Sequence, residues 1–304
     1  MRRPDRDARL SIAGIGLSIL SQEHVWGFPQ NGIYRRFLAP GAAQAVDSSV
    51  RVHWRAAALC DFGEQIFTAR TPDRREPVLR LYRRDQQRIA WVSMSPSEIP
   101  SHRVAIFDEH FRSGDVYVEL LDEPADVYPY PLGFPLDRIL LLNTLGLDRG
   151  IMMHACGVDD AGRGLLFTGP SGAGKTTMAR LWSDHGDATV LGDECIIVRR
   201  VEHQYRVYGT PWTGQDRVAC PGGVPLERIF FIQHADEDAV SRKGWISTVE
   251  SLLTQVFSTF YDRAAMQYTL DFCSELGRRV PGYDLRFVPT SEVVRLVQEM
   301  DGEQ

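Results

Sequence analysis

The chain has 304 residues, 43% apolar and 24% charged, enough for about two domains, each with its own core. Its formal net charge of −6 argues against a general nucleic-acid binder, and no nucleic-acid partner is expected. Five cysteines (Cys60, Cys156, Cys195, Cys220 and Cys273) stand apart without a C-x-x-C pair, which argues against a disulfide framework or a zinc site and for a reducing compartment. No apolar run approaches membrane-spanning length, so the expected location is cytoplasmic, with no membrane partner.

In chain order, Arg2, Arg3, Arg6 and Arg9 precede a mostly apolar run over 10–20. Asp5 and Asp7 interrupt the basic stretch and no small-residue cleavage site follows, so the run is read as a strand and not as a signal peptide. Further strands are expected at 50–54, 66–69, 78–82, 89–92, 104–107 and 116–121. Several alternate, as in Leu79-Arg80-Leu81, and turn clusters such as Thr71-Pro72-Asp73 separate them. His53, His102 and His110 lie far apart without ligand spacing, so this β-rich region offers no catalytic constellation. A proline-rich joint, Tyr128-Pro129-Tyr130-Pro131-Leu132-Gly133-Phe134-Pro135, marks a domain boundary, giving a β-rich domain over 1–133 and a second domain over 134–304.

The second domain alternates helix and strand. A helix is expected over 136–145, strands at 151–156 and 163–168, and then the run Gly169-Pro170-Ser171-Gly172-Ala173-Gly174-Lys175-Thr176. This run fits G-x-x-x-x-G-K-[ST], a P-loop, with an apolar strand before it and a helical stretch from Thr177 after it. Glycines let backbone N–H groups converge on a phosphate, and a helix N-terminus adds partial positive charge. In that reading 169–177 binds the phosphates of a nucleotide, Lys175 reaches the β- and γ-phosphates, and the Thr176 hydroxyl ligates Mg2+.

Strand-like segments at 190–191 and 196–198 flank Gly192-Asp193-Glu194. Carboxylates at a strand end beside a P-loop face the phosphates, where they hold Mg2+ or take a proton from an attacking hydroxyl. His154 interrupts the apolar strand at 151–156, and spacing alone leaves it either a packed core histidine or a site residue. The segment Tyr208-Gly209-Thr210-Pro211-Trp212-Thr213-Gly214-Gln215-Asp216-Arg217 reads as a structured loop with an exposed tryptophan, from which Arg217 could meet transferring phosphate charge. A hairpin partner at 205–208, a strand at 229–232, helices at 247–259 and 262–278, a strand at 283–287 and a helix at 291–300 complete the chain.

This order of Met153-His154-Ala155, the P-loop and Gly192-Asp193-Glu194 resembles the HPr kinase/phosphorylase family over about 134–304. More narrowly it is similar to HPr-kinase-like proteins with a G-T-P-W loop, some of which accompany peptide-modification clusters, including kinases of lasso-peptide precursors. The resemblance implies an α/β P-loop kinase domain of the HPr kinase/phosphoenolpyruvate carboxykinase type, preceded by the β-rich domain. It implies ATP and Mg2+ as cofactors, transfer of the γ-phosphoryl group to a hydroxyl, and a peptide or protein substrate such as a precursor peptide. It allows a homo-oligomer. His154 matches the family histidine near the phosphate, Lys175 and Thr176 the phosphate lysine and metal hydroxyl, and Asp193 the general base. Glu194 stands where the family has a second Asp. The chain lacks the E-[IV]-R-G segment of true HPr kinases, which argues against HPr as its acceptor and against the reverse phosphorolysis. A small-molecule kinase of the same fold and a non-catalytic nucleotide-binding regulator are the alternative readings.

Overall fold

Alternation in Asp7–Ile12 buries Ala8, Leu10 and Ile12 and leaves Asp7 and Arg9 in solvent, the pattern of a strand with one wet face. The same pattern recurs along the early chain and builds it into a sheet. The computed structural model describes residues 6–29, 32–39, 45–70, 77–93, 102–119, 127–185, 187–214 and 216–300. The fold is mixed α/β with several sheets, and contacts divide the chain into two units, Met1–Thr144 and Leu145–Gln304.

The first unit contains β1 (Asp7–Ile12), β2 (Ile15–Ser21), β3 (Trp26–Gly27), β4 (Ser48–His53), β5 (Glu64–Ala69), β6 (Leu79–Arg84), β7 (Gln87–Ser93), β8 (His102–Asp108), β9 (Ser113–Val118), β10 (Tyr128–Pro129) and α1 (Leu136–Leu145). Eight of these strands form one sheet in the order β1-β2-β4-β9-β8-β7-β6-β5. β4 runs parallel to β2 and to β9, and β3 pairs with β10 apart from that sheet. α1 goes with this unit through Thr144, so the division falls after the helix and not at the proline-rich joint before it. One tie is long-range: buried Asp137 in its first turn accepts a hydrogen bond from the Tyr34 hydroxyl.

The second unit holds β11 (Ile151–Met153), β12 (Ala155–Asp160), β13 (Arg163–Thr168), α2 (Lys175–Ser183), β14 (Ala188–Gly192), β15 (Ile196–Val201), β16 (Gln204–Tyr208), β17 (Gly223–His234), β18 (Ala239–Lys243), α3 (Trp245–Leu253), β19 (Val256–Phe257), α4 (Arg263–Arg279), β20 (Gly282–Phe287) and α5 (Glu292–Glu299). Its strands follow the order β14-β12-β13-β17-β16-β15-β11-β19, with β20 on β17 and β18 on β20. β17 is the long member. Its start pairs with β16 and its later part runs parallel to β13 and β20. Alternation along β13 sends Leu165 and Phe167 into a core with α2 and α5 (Met178, Trp182, Val294), while Leu166 faces a second core with α3 and α4 (Leu252, Phe272, Leu276). No helix of the described residues is long and apolar enough to cross a membrane.

Four sequence expectations change. The run at 10–20 is a hairpin: Ala13 and Gly14 take positive φ of 52° and 73° between the paired Ile12 and Ile15, the backbone that a two-residue turn needs. The strand expected at 151–156 breaks at His154, whose N–H donates to the Gln255 carbonyl at 2.9 Å. β11 pairs with β15 and β19, whereas β12 pairs with β13 and β14. The helix expected to reach 259 ends at Leu253, because the chain turns into β19 to cover β11. The strand β18, absent from the sequence reading, covers β20. The turn at 71–73, the end of the strand expected at 116–121, and Gln215 lie outside the described residues.

Candidate active site

β13 is buried along nearly its whole length and runs straight into the glycine-rich loop, and α2 begins at Lys175. Gly174 precedes the helix at φ 104°, and no side chain among the described residues caps it. The first N–H groups of α2 are therefore available to an anion. A side chain at Gly174 would be strained in φ, and its Cβ would lie 2.6 Å from the Phe287 ring and 2.7 Å from His234 Nε2. Glycine is thus needed twice over at this position.

Ser171, Gly172, Gly174, Lys175, Thr176 and Thr177 line a cavity of about 270 Å3 together with His154, Asp193, Glu194 and His234. Gly169 and Pro170 line a neighbouring groove. Ala173 is packed below the loop in the α2 core, and its N–H bonds the Pro170 carbonyl at 3.1 Å. Lys175 is buried, and its ammonium donates to the carbonyls of Gly169 at 2.8 Å and Pro170 at 3.0 Å. Burial lowers its pKa, opposed by the nearby Glu194 charge.

Asp193 is 1% exposed. One carboxylate oxygen accepts the Gly214 N–H at 3.0 Å, and the other, Oδ2, accepts no hydrogen bond among the described residues. Burial raises its pKa, Asp216 and Glu194 add to the rise, and the Gly214 N–H opposes it. A raised pKa makes the ionised form a better proton acceptor. Cys156 lies beside it, fully buried, with its thiol pushed up by burial and by the Asp193 charge. Glu194 is half-buried, and its Oε2 meets His154 Nε2 at 3.4 Å. The break in the strand is what turns His154 out of the core. Its carbonyl accepts from the Thr168 hydroxyl at 2.9 Å, so both of its backbone groups are held.

The loop after β16 closes over Asp193. Thr210 donates its hydroxyl to the Cys195 carbonyl at 2.6 Å, and Gly192 bridges to Ala219. Asp216 accepts two hydrogen bonds from Arg180 of α2, at 2.6 and 2.7 Å. Gly214 packs so closely that a Cβ there would lie 2.6 Å from Asp193 Oδ2. Trp212, expected in solvent, is buried instead, because the loop folds back on its own strands. Arg217 is exposed, has a positive φ of 55° and is not among the residues lining the cavity.

Sequence reading missed His234. It ends β17 with its ring 4.7 Å from that of Phe287. Its signal was weak, a histidine at the end of an apolar strand parallel to β13, and only the pairing of β17 with β13 brings it to the loop.

Among the described residues no three His, Cys, Asp or Glu side chains group as a metal cage. Mg2+ needs no such cage, because it binds through one or two carboxylates together with substrate phosphates and water. A buried carboxylate oxygen without a partner and a threonine hydroxyl on the same cavity fit that donor set.

No family model and no curated protein matches this sequence. Among solved structures the chain is similar to the Hpr(Ser) kinase/phosphatase from Coxiella burnetii, with 13% identity over 50% of this chain and 99% of that chain and a TM-score of 0.28.

Proposed function

We propose that this chain is an ATP-dependent, Mg2+-requiring kinase that transfers the γ-phosphoryl group to a hydroxyl, that of a Ser in a peptide or protein. The observation that carries the reading is the meeting, in one cavity, of the loop lysine, the uncapped α2 N-terminus and a buried carboxylate with an unpartnered oxygen. A phosphate site needs the first two. The third supplies either a Mg2+ ligand or a proton acceptor, and its raised pKa suits the acceptor role that transfer to a hydroxyl needs.

In this mechanism the loop N–H groups and Lys175 hold the β- and γ-phosphates. Asp193 accepts the proton of the acceptor hydroxyl as its oxygen bonds to the γ-phosphorus. The bond to the β–γ bridging oxygen breaks, and ADP leaves. The Thr176 hydroxyl with Asp193 or Glu194 would hold Mg2+, which would supply positive charge to offset that of the phosphates. His154 fixes Glu194 beside them.

A regulator that only binds nucleotide needs no proton acceptor, whereas burial raises the Asp193 pKa and makes its ionised form a better one. A small-molecule kinase calls for a closed acceptor pocket, whereas the groove beside the loop has exposed walls at Gln233, Ser241, Thr254 and Arg286. The test is transfer of label from γ-labelled ATP to Ser-containing peptides and to free serine. Wild-type protein that labels no hydroxyl acceptor, yet binds Mg2+-ATP, overturns the kinase reading in favour of the regulator.

A further inference from the structure

Beside the phosphate cavity lies a groove of about 580 Å3, lined by Gly169 and Pro170 of the loop, by the ends of β17 and β20, by β18, and by one face of α3. Strand alternation explains its floor. Phe231 and Gln233 of β17, Asp284 and Arg286 of β20, and Ala239 and Ser241 of β18 share one side of the sheet, because Gln233 registers with Arg286, Arg286 with Ala239, and Asp284 with Ser241. α3 supplies the facing wall through Glu250 and Ser251, continued by Thr254 just after the helix.

The groove ends at the chemistry. Gln255, at its inner end, accepts the His154 N–H through its carbonyl. His154 in turn pairs with Glu194, next to Asp193. At the loop, Pro170 lines the groove and the adjacent Ser171 lines the phosphate cavity. The two spaces therefore abut on the side where the proposed base sits.

Its charges differ in kind. Asp284 is neutralised, both oxygens accepting from Lys243 at 2.8 and 3.0 Å. Glu250 on the α3 side and Arg286 on the sheet side are both exposed, and neither side chain has an ion-pair or hydrogen-bond partner among the described residues. The partly buried Phe231 ring is the apolar part of the floor.

Building on the kinase reading, we propose that this groove binds the extended peptide segment flanking the acceptor Ser and selects for charge: a basic residue meets Glu250 and an acidic residue meets Arg286. Opposed single charges above an apolar floor suit alternating side chains of an extended chain. A free amino acid reaching Asp193 would leave most of this groove unfilled.

The experiment measures phosphoryl transfer to Ser-centred peptides carrying Lys, Glu or Ala at each flanking position, with wild type, Glu250→Lys and Arg286→Glu. Wild type should favour one Lys position and one Glu position. Glu250→Lys should shift the first preference from Lys toward Glu, and Arg286→Glu the second from Glu toward Lys. Each shift should be about fivefold in kcat/KM, the scale of an exposed ion pair exchanged for a like-charge contact. Mg2+-ATP affinity, measured by calorimetry, should not move. If transfer proceeds but both variants rank the peptides as wild type does, the groove assignment fails and the kinase reading stands. Free serine accepting as well as the best peptide also overturns the groove. Failure of wild type to label any peptide or free serine overturns both.

Discussion

Asp193 is costly to the fold, and in the proposed mechanism it is the proton acceptor. Its pKa is raised by burial above the ordinary 3.8, so the folded chain holds the proton more tightly than the unfolded chain. The resulting penalty is absent below the unfolded pKa and is fully present once pH has risen through the raised one. Asp193→Asn should therefore match or exceed wild type in Tm at pH 7, with the difference vanishing at acid pH, as thermal melts across pH will check. The same substitution should lower transfer by about 10²–10⁴-fold, the usual worth of general acid–base catalysis, while Mg2+-ATP still binds. The wild-type rate should rise with pH through the raised Asp193 pKa. Lys175→Ala removes a charge-assisted phosphate contact worth about 1.5–3 kcal/mol, so ATP and ADP should bind roughly 10- to 150-fold more weakly by calorimetry. Unchanged affinity would remove the phosphate assignment. The sequence points to Lys175 and Thr176 through a fixed loop spacing and to Asp193 through its strand end, and the three line one cavity. His234 was not legible, because its position depends on a strand pairing that no local pattern records.

At the scale of the element, the loop after β16 acts as a clasp on the carboxylate. Its hold comes from backbone, the Gly214 N–H, and its place is set by Asp216 on Arg180. Gly214→Ala pushes a methyl group to within 2.6 Å of Asp193 Oδ2, so either the loop or the carboxylate must shift. Transfer should fall at least tenfold, because small displacements of a reacting group are costly, while Mg2+-ATP affinity changes little because the phosphate cradle is untouched. Paired kinetics and calorimetry separate the two, and a variant with wild-type rate would show that the contact is dispensable. Most elements were readable from periodicity: β13 and α1 match their expected ranges. Misses fall where a backbone event beats the pattern. Ala13-Gly14 turns within an apolar run, and His154 breaks an apolar strand because its two sides pair with different neighbours, β11 with β15 and β19 and β12 with β13 and β14. α3 stops early because Val256 and Phe257 gain more by pairing with β11. The tryptophan in the G-T-P-W loop looked exposed because its neighbours are turn formers, and only the loop's return onto β14 buries it.

At the scale of the whole molecule, the shift from alternating strands to mixed helix and strand announced two units, although α1 goes with the first. That grouping rests on contacts between distant residues such as Tyr34 and Asp137, which a linear reading of the proline-rich joint does not supply. The second unit has its own cores and the whole candidate site. Expressed as residues 145–304, it should fold and bind Mg2+-ATP by itself. Circular dichroism and calorimetry on that fragment check this, and an unfolded fragment would show that its stability depends on the first unit.

β17 gives that fragment a further property. This single strand donates and accepts for β16 at one end and for β13 and β20 at the other, so it is a shared spine for both cores. Loss of either core strips β17 of ladder bonds on which the other depends, leaving no half that can persist alone. The unit should therefore melt as one cooperative block, and the amides of its central strands should exchange with solvent at a common, global rate.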